Sequence, residues 1–392
     1  MAWAGAKEKF NLAETADCTE TSVATALSAA RRITVKVGSS LIVGDDDGVR
    51  DAWLASLGDD IAALRNQGKQ VVLVSSGAVA LGCRHLGLKK STRLDHKQAS
   101  AAAGQALLMQ AWERALAPHR IPTAQLLLTI DDTEQRRRSL NARATLDVLL
   151  GAGGLPVINE NDSVATDELR YGDNDRLSAR AAQLIRSDLL ILLSDVDGLY
   201  TADPSRDPAA QHIPHVAAIT PDIEAYAGGS GTAGVGTGGM RTKLDAARIA
   251  SGFGCATIIA SGHAPHPLQR LIDGDRATLI AASGSPASAY KAWIKGTLAP
   301  AGSVSIDLGA ARALAAGKSL LPAGVTHIDG QFDRGACLRV LDPDGREIAR
   351  GLSAYSCHDA RAIAGRSSPD IAALLGYGGR DELIHRDDLV ML

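Results

Sequence analysis

Residues 155–185, LPVINENDSVATDELRYGDNDRLSARAAQLI, constrain the fold more than any other stretch of the chain. Residues 155–158 are short and apolar, as in a buried strand. Two polar bursts follow, Asn159-Glu160-Asn161-Asp162 and Asp173-Asn174-Asp175, before a Leu- and Ala-rich helical pattern over residues 177–185. A strand that stops at a polar loop and returns through a helix is the repeat from which parallel sheets are built. In an open parallel sheet, ligands sit beyond the carboxyl ends of the strands. The bursts therefore put amides and carboxylates where a small polar ligand would bind. A solvated loop with an Asp or Asn helix cap would explain one burst. Two bursts in one unit of an otherwise apolar chain favour a site.

The same order of strand, turn and helix recurs. Residues 33–37, ITVKV, form a strand that ends in Gly38-Ser39-Ser40. Lys36 is costly to bury there unless it faces an anion. The turn after it offers the N–H groups and hydroxyls of an anion nest; a lysine snorkelling from an edge strand is the plainer alternative. A helix over residues 51–67 leads to a strand at 70–74 and then to Ser75-Ser76-Gly77-Ala78-Val79-Ala80, a second anion cradle at a helix start. An Ala-rich helix over 98–116, a strand at 123–128 and a helix within 132–150 come next. Within the last, Arg136-Arg137-Arg138 reads as a solvated face.

Residues 188–193, DLLILL, are another buried strand, and the long polar loop from Ser194 to Pro204 suits a nucleotide's base and ribose. The Gly-rich stretch 228–239 runs into Gly236-Thr237-Gly238-Gly239-Met240-Arg241-Thr242-Lys243, where an Ala/Ile-rich helix begins. Glycine permits close backbone approach, the helix start favours anions, and Lys243 adds a full charge. A phosphate site is thus preferred to a merely flexible loop, although neither GxGxxG nor GxxxxGK[ST] is present. A last strand is expected near residues 256–260, followed by a linker around 283–288. Beyond residue 300, short alternating runs such as residues 337–341 indicate a small β-rich domain.

A chain of 392 residues has room for two domains. A formal charge of −3 gives no global attraction to nucleic acid or anionic membrane. Five well-separated cysteines without a CxxC argue for reduced thiols in a cytoplasmic protein. No apolar run is long enough to span a bilayer. Residues 1–30 mix both charge signs and lack the apolar segment of a signal peptide; they read as a leader, partly helical around residues 22–32.

In order, VKVGSS, VSSGAVALG, VINENDSVAT, GDND, LLSDVDGLYTADP and GTGGMRTK resemble the glutamate 5-kinase family of the amino-acid kinase superfamily. The later run SLLPAGV, GQFDRGACLRVLD and GREIARGL is similar to a PUA domain, a small pseudo-barrel. Val37, Ser39 and Ser194 depart mildly from the family's usual Leu, Thr and Thr. The resemblance implies an α/β fold, a three-layer αβα sandwich around a mostly parallel sheet, plus the β-rich PUA domain. The implied division is a leader at 1–30, a kinase domain at 31–285, a linker at 286–299, a PUA domain at 300–380 and a tail at 381–392.

The implied activity is ATP-dependent phosphorylation of the L-glutamate side-chain carboxylate to L-glutamyl 5-phosphate, the first step of proline biosynthesis, with feedback inhibition by proline. By the same resemblance, Lys36 and Lys243 flank the transferring phosphoryl group and Asp175 orients them. Ser76, Asn159, Asp162 and Asn174 would hold glutamate. Lys36, Ser194, Asp195, Thr237, Gly238, Gly239, Met240, Arg241, Thr242 and Lys243 would bind ATP, with Mg2+ on its phosphates and no separate protein metal site. A cytoplasmic homo-oligomer, dimer or tetramer, coupled to glutamyl-phosphate reductase, completes the expectation.

Elementary chemistry agrees with that assignment. A glutamate side chain, with a free pKa of about 4.3, is already a nucleophile at neutral pH and needs no general base. The barrier is bringing one anion to another, so positioning and charge neutralisation must supply catalysis. A dinucleotide oxidoreductase is the first rival, but the first strand carries Lys36 instead of a following GxGxxG. RNA binding through the C-terminal domain is the second; residues 300–379 hold as many acidic as basic side chains, so it is not favoured.

Overall fold

The computed structural model describes residues 22–44, 48–89, 93–164, 173–228, 239–282, 284–296 and 299–392. The larger sheet contains β1 (Arg32–Val37), β2 (Gln70–Ser75), β3 (Thr123–Leu128), β4 (Leu155–Glu160) and β5 (Leu189–Ser194). After the small ribbon of β6 (Leu199–Tyr200) and β7 (His212–Ile213) it continues with β8 (His215–Val216), β9 (Ala256–Ser261) and β10 (Ala277–Ile280). The order is β3-β4-β2-β1-β5-β9-β10-β8, parallel except where β10 runs against β9. Residues 256–260 are therefore not the last strand of the sheet: β10 follows, short enough to have been lost between two loops.

The helices are α1 (Val23–Ala29), α2 (Ser39–Ile42), α3 (Asp51–Asn66), α4 (Ala78–His85), α5 (Leu94–Leu116), α6 (Ile130–Glu134), α7 (Arg136–Gly151), α8 (Asn174–Ile185), α9 (Pro221–Tyr226), α10 (Met240–Gly252) and α11 (Pro267–Ile272). Strand alternation assigns their layers. Val71, Leu73, Ile191 and Leu193 join Leu57, Ile61, Leu108 and Trp112 of α3 and α5 in one core. Val72 and Val74 face the other way, onto Leu146 and Leu150 of α7 and Leu177 of α8. Leu190 and Leu192 meet Ala182 of α8 and Leu244 of α10 on that same face. Both faces are covered, which is why β4 and β5 are buried throughout.

Three other segments differ from the sequence expectations. The helix within 132–150 is two helices: a Thr129/Asp132 capping box starts α6 early, and Gln135, in an extended conformation, separates it from α7. Residues 286–299, read as a linker, contain the eleven-residue helix α12 (Pro286–Gly296). The hydroxyl of Ser285 accepts from the N–H of Ser288 at its start, and Ile294 buries against Cys337 and Leu352. The tail is not peripheral either, because β15 (Leu389–Met391) completes the smaller sheet. That sheet contains β11 (Gly302–Ile306), β12 (Val325–Gly330), β13 (Cys337–Leu341) and β14 (Glu347–Leu352), ordered β12-β11-β13-β14-β15. Helices α13 (Leu308–Ala315), α14 (Cys357–Ile363) and α15 (Ser368–Leu375) accompany it, and its core is separate from those of the larger sheet. No described helix is long and apolar enough to cross a membrane.

Candidate active site

Parallel pairing brings the carboxyl ends of β1, β2, β4 and β5 to one edge. Val37 lies opposite both Ser75 and Leu193, and Val74 lies opposite Ile158. β1 sits between β2 and β5, where the chain leaves one half of the sheet for the other, the place at which open α/β sheets hold ligands. β4 and β5 are apolar until their last residues, Asn159-Glu160 and Ser194, and β2 ends on Ser75, so these strands turn polar at the edge where the backbone stops pairing; β1 ends on Val37 and brings Lys36 there instead.

Asp175 is the centre. It occupies the second position of α8, behind the Asp173 side chain that caps the helix by accepting from the N–H of Arg176 at 2.9 Å. Its Oδ1 lies 2.6 Å from Lys36 Nζ, and its Oδ2 lies 3.5 Å from Lys243 Nζ. The Thr242 hydroxyl donates to Oδ2 at 3.0 Å. Burial by itself would raise the Asp175 pKa; the charges of Lys36 and Lys243, with hydrogen bonds from Lys36 and Thr242, outweigh it and hold the carboxyl below the usual range. All three ionic side chains are nearly enclosed, with at most 10% of each exposed. One carboxylate thus fixes two ammonium groups from opposite ends of the domain at a single point.

Next to it lies an amide and hydroxyl network. Asn174 Nδ2 donates to Ser76 Oγ at 2.7 Å, to Asn159 Oδ1 at 3.0 Å and to the Ser75 carbonyl at 3.3 Å. Asn159 Oδ1 also accepts from the N–H of Glu160. The two polar bursts, fifteen residues apart at Asn159 and Asn174, therefore meet directly. Asp162 sits in the half-buried turn after β4, at the same edge. Gly77, which caps α4 at φ 104°, turns the chain away from Ser76 in a conformation suited to glycine.

Ser194 ends β5, buried, with its hydroxyl accepting from the N–H of Val196; Asp195 beyond it is exposed. Gly239 caps α10, whose first turn holds Met240, Arg241, Thr242 and Lys243. Arg241 turns to Asp245 on its own helix, at 3.7 Å, and so takes no part in the Asp175 cluster. Thr237 and Gly238 lie outside the described residues. Glu160, named in the first polar burst but given no individual role, is buried at the end of β4. Sequence reasoning passed over the Arg176–Asp245 pair, at 3.2 Å, that ties α8 to α10.

Among the described residues no three His, Cys, Asp or Glu side chains gather as metal ligands. Asp175, the central carboxylate, is already engaged by two lysines and a hydroxyl. The two enclosed lysines suit an anionic ligand.

Residues 31–261 match the amino acid kinase family, and residues 302–375 match the PUA domain. A protein of Caulobacter vibrioides described as glutamate 5-kinase is 59% identical over 369 residues, covering 93% of this chain and 98% of its own. One from Paramagnetospirillum magneticum, of the same description, is 56% identical over 366 residues, or 93% and 99% of the two chains. Glutamate 5-kinase 1 of Rhizobium meliloti is 54% identical over 367 residues, with 93% of each chain covered. Together with the parallel sheet and the lysine-flanked edge, these matches identify the chain as a member of the amino acid kinase family that carries a C-terminal PUA domain and is closely similar to glutamate 5-kinases.

Proposed function

We propose that the chain transfers the γ-phosphoryl group of ATP to the side-chain carboxylate of L-glutamate, giving L-glutamyl 5-phosphate. The observation that carries this reading is the pair of enclosed lysines, Lys36 and Lys243, held on the single carboxylate of Asp175. Two anions must meet in this reaction, and preorganised positive charge is what lowers that barrier. The attacking carboxylate is ionised at neutral pH, so no proton has to be removed. Asp175 serves as the organiser of the lysines, and the bond to phosphorus forms between them.

In this reading the Ser76–Asn174–Asn159 network and Asp162 grip the polar atoms of glutamate. Ser194, Asp195 and residues 237–243 receive the nucleotide. Mg2+ enters on the ATP phosphates and neutralises charge there. Proline keeps the ammonium and α-carboxylate of glutamate and competes at the same place. The acyl phosphate product hydrolyses readily, which favours prompt consumption by a reductase, and the enzyme works as a cytoplasmic homo-oligomer.

ADP release measured with ATP, Mg2+ and a panel of single amino acids tests the proposal. Turnover should require L-glutamate and be absent with L-aspartate, N-acetyl-L-glutamate or L-glutamine. Equal turnover with one of these, or none with glutamate, would reject it.

A further inference from the structure

Helix α8 carries Asn174 and Asp175 at one end and is gripped by the C-terminal domain at the other. It is twelve residues long, about 18 Å from end to end, and packs across β1, β2, β4 and β5 as well as α7 and α10. A helix so enclosed moves as a unit. Its C-cap is Arg186, at φ 53° and ψ 53°, a left-handed conformation that residues with a side chain seldom adopt.

The Arg186 side chain accounts for that placement. Nη2 donates to Asp388 Oδ1 at 2.9 Å and to the Asp387 carbonyl at 3.0 Å. The same Asp388 oxygen accepts from Arg143 Nη1 on α7 and from the Tyr290 hydroxyl on α12, each at 3.0 Å. The Arg186 guanidinium lies 3.8 Å from the centre of the Tyr290 ring. Asp388 is 9% exposed, and the two arginines 14% and 15%. Burial would raise the Asp388 pKa, but the two guanidinium charges keep its carboxyl below the usual range.

A second grip reinforces the first. Arg32, at the start of β1, donates from Nη1 to the Ile185 carbonyl and pairs with Asp147 at 3.4 Å, and Asp147 in turn lies 3.6 Å from Arg143. The junction thus holds both the strand that bears Lys36 and the helix that bears Asp175, each by the end remote from the site.

We propose that Asp388 is a positioning residue: from the C-terminal domain it fixes Arg186 and Arg143, and through α8 it sets where Asn174 and Asp175 stand. This rests on the functional reading above. It gives the appended domain a part in the kinase site without contact with substrate. Removing one partner of a buried ionic group leaves the others uncompensated, so the junction would relax and α8 would lose its fixed seat.

Three full-length variants test this: Asp388→Asn, Arg186→Gly and the double variant. Glycine suits the left-handed C-cap, so Arg186→Gly removes the grip while easing the backbone, and the variant should remain folded. Each single variant should lower kcat/KM for glutamate by about tenfold, with the KM for ATP changed by less than about twofold. The double variant should be no worse than the poorer single, because both cut one connection. Asp388→Glu should recover part of the loss.

Hydrogen exchange on the same variants reads the coupling without reference to substrate. Amides of residues 174–178 should exchange at least about tenfold faster, while α5 on the opposite face of the sheet stays protected. If the parent turns over no glutamate, the functional reading fails by itself and exchange still decides the coupling. Unchanged protection at 174–178 in folded Arg186→Gly and Asp388→Asn would overturn the proposal. So would losses in glutamate and ATP parameters that merely follow the folded fraction.

Discussion

Asp175, Lys36 and Lys243 illustrate how a side chain acquires a role from its partners. Any of them buried alone would be costly; together each makes the others tolerable. That mutual support gives the mutational expectation a direction. Lys36→Ala and Lys243→Ala should each lower kcat about a hundredfold or more, since one preorganised cation aimed at the transferring group is worth about 3–4 kcal/mol. Steady-state kinetics on folded variants check this, and near-normal kcat in either would make that lysine a bystander. Each of the three was visible in the sequence in its own way: Lys36 as a charge inside the apolar ITVKV, Asp175 as the last residue of a polar burst before a Leu/Ala helix, and Lys243 as a charge after a glycine run. Their joint role was implied only by the family resemblance. Arg241 was expected on the nucleotide from the same run; its side chain also lies 3.7 Å from Asp245, four residues on along the helix.

At the scale of elements, the strands were readable because a strand buried on both faces must be continuously apolar. Helix ends were less so, since a capping box or one extended residue decides them. The crossing of α4 and α5 was not readable at all. A Cβ on Gly82 would stand 1.7 Å from the Ser100 carbonyl oxygen, and one on Gly104 the same distance from that of Ala78. The two backbones touch, and α4, whose N-terminus abuts Ser76, is thereby held in place. Propensity alone would have Gly104→Ala stabilise the helix by about 1 kcal/mol. Steric overlap with rigid backbone reverses the sign, and a net loss of about 2–3 kcal/mol is expected. Urea denaturation measures it; a variant as stable as the parent would show that the helices can move apart without cost.

Across the whole molecule, two sheets with separate cores are joined through buried ionic contacts, among them Arg186 and Asp388, 202 residues apart. No local pattern could have announced that pairing, and the segments involved looked like linker and tail. Those contacts give the fold an acid limit. Asp175 and Asp388 both have carboxyls depressed below 3.8 in the folded state. Their stabilisation is complete above that unfolded value and is lost as the pH falls through the lower folded one. Thermal melts should thus be steady near neutrality and drop steeply below pH about 4, with Asp388→Asn showing a shallower drop; an identical acid limb would remove Asp388 from the cause. The central claim, that a side-chain carboxylate becomes an acyl phosphate, is tested most directly by trapping. ATP, Mg2+, L-glutamate and hydroxylamine should yield γ-glutamyl hydroxamate with the parent protein and almost none with Lys36→Ala. ATP consumption that leaves no glutamyl hydroxamate, with glutamate recovered unchanged, would contradict it.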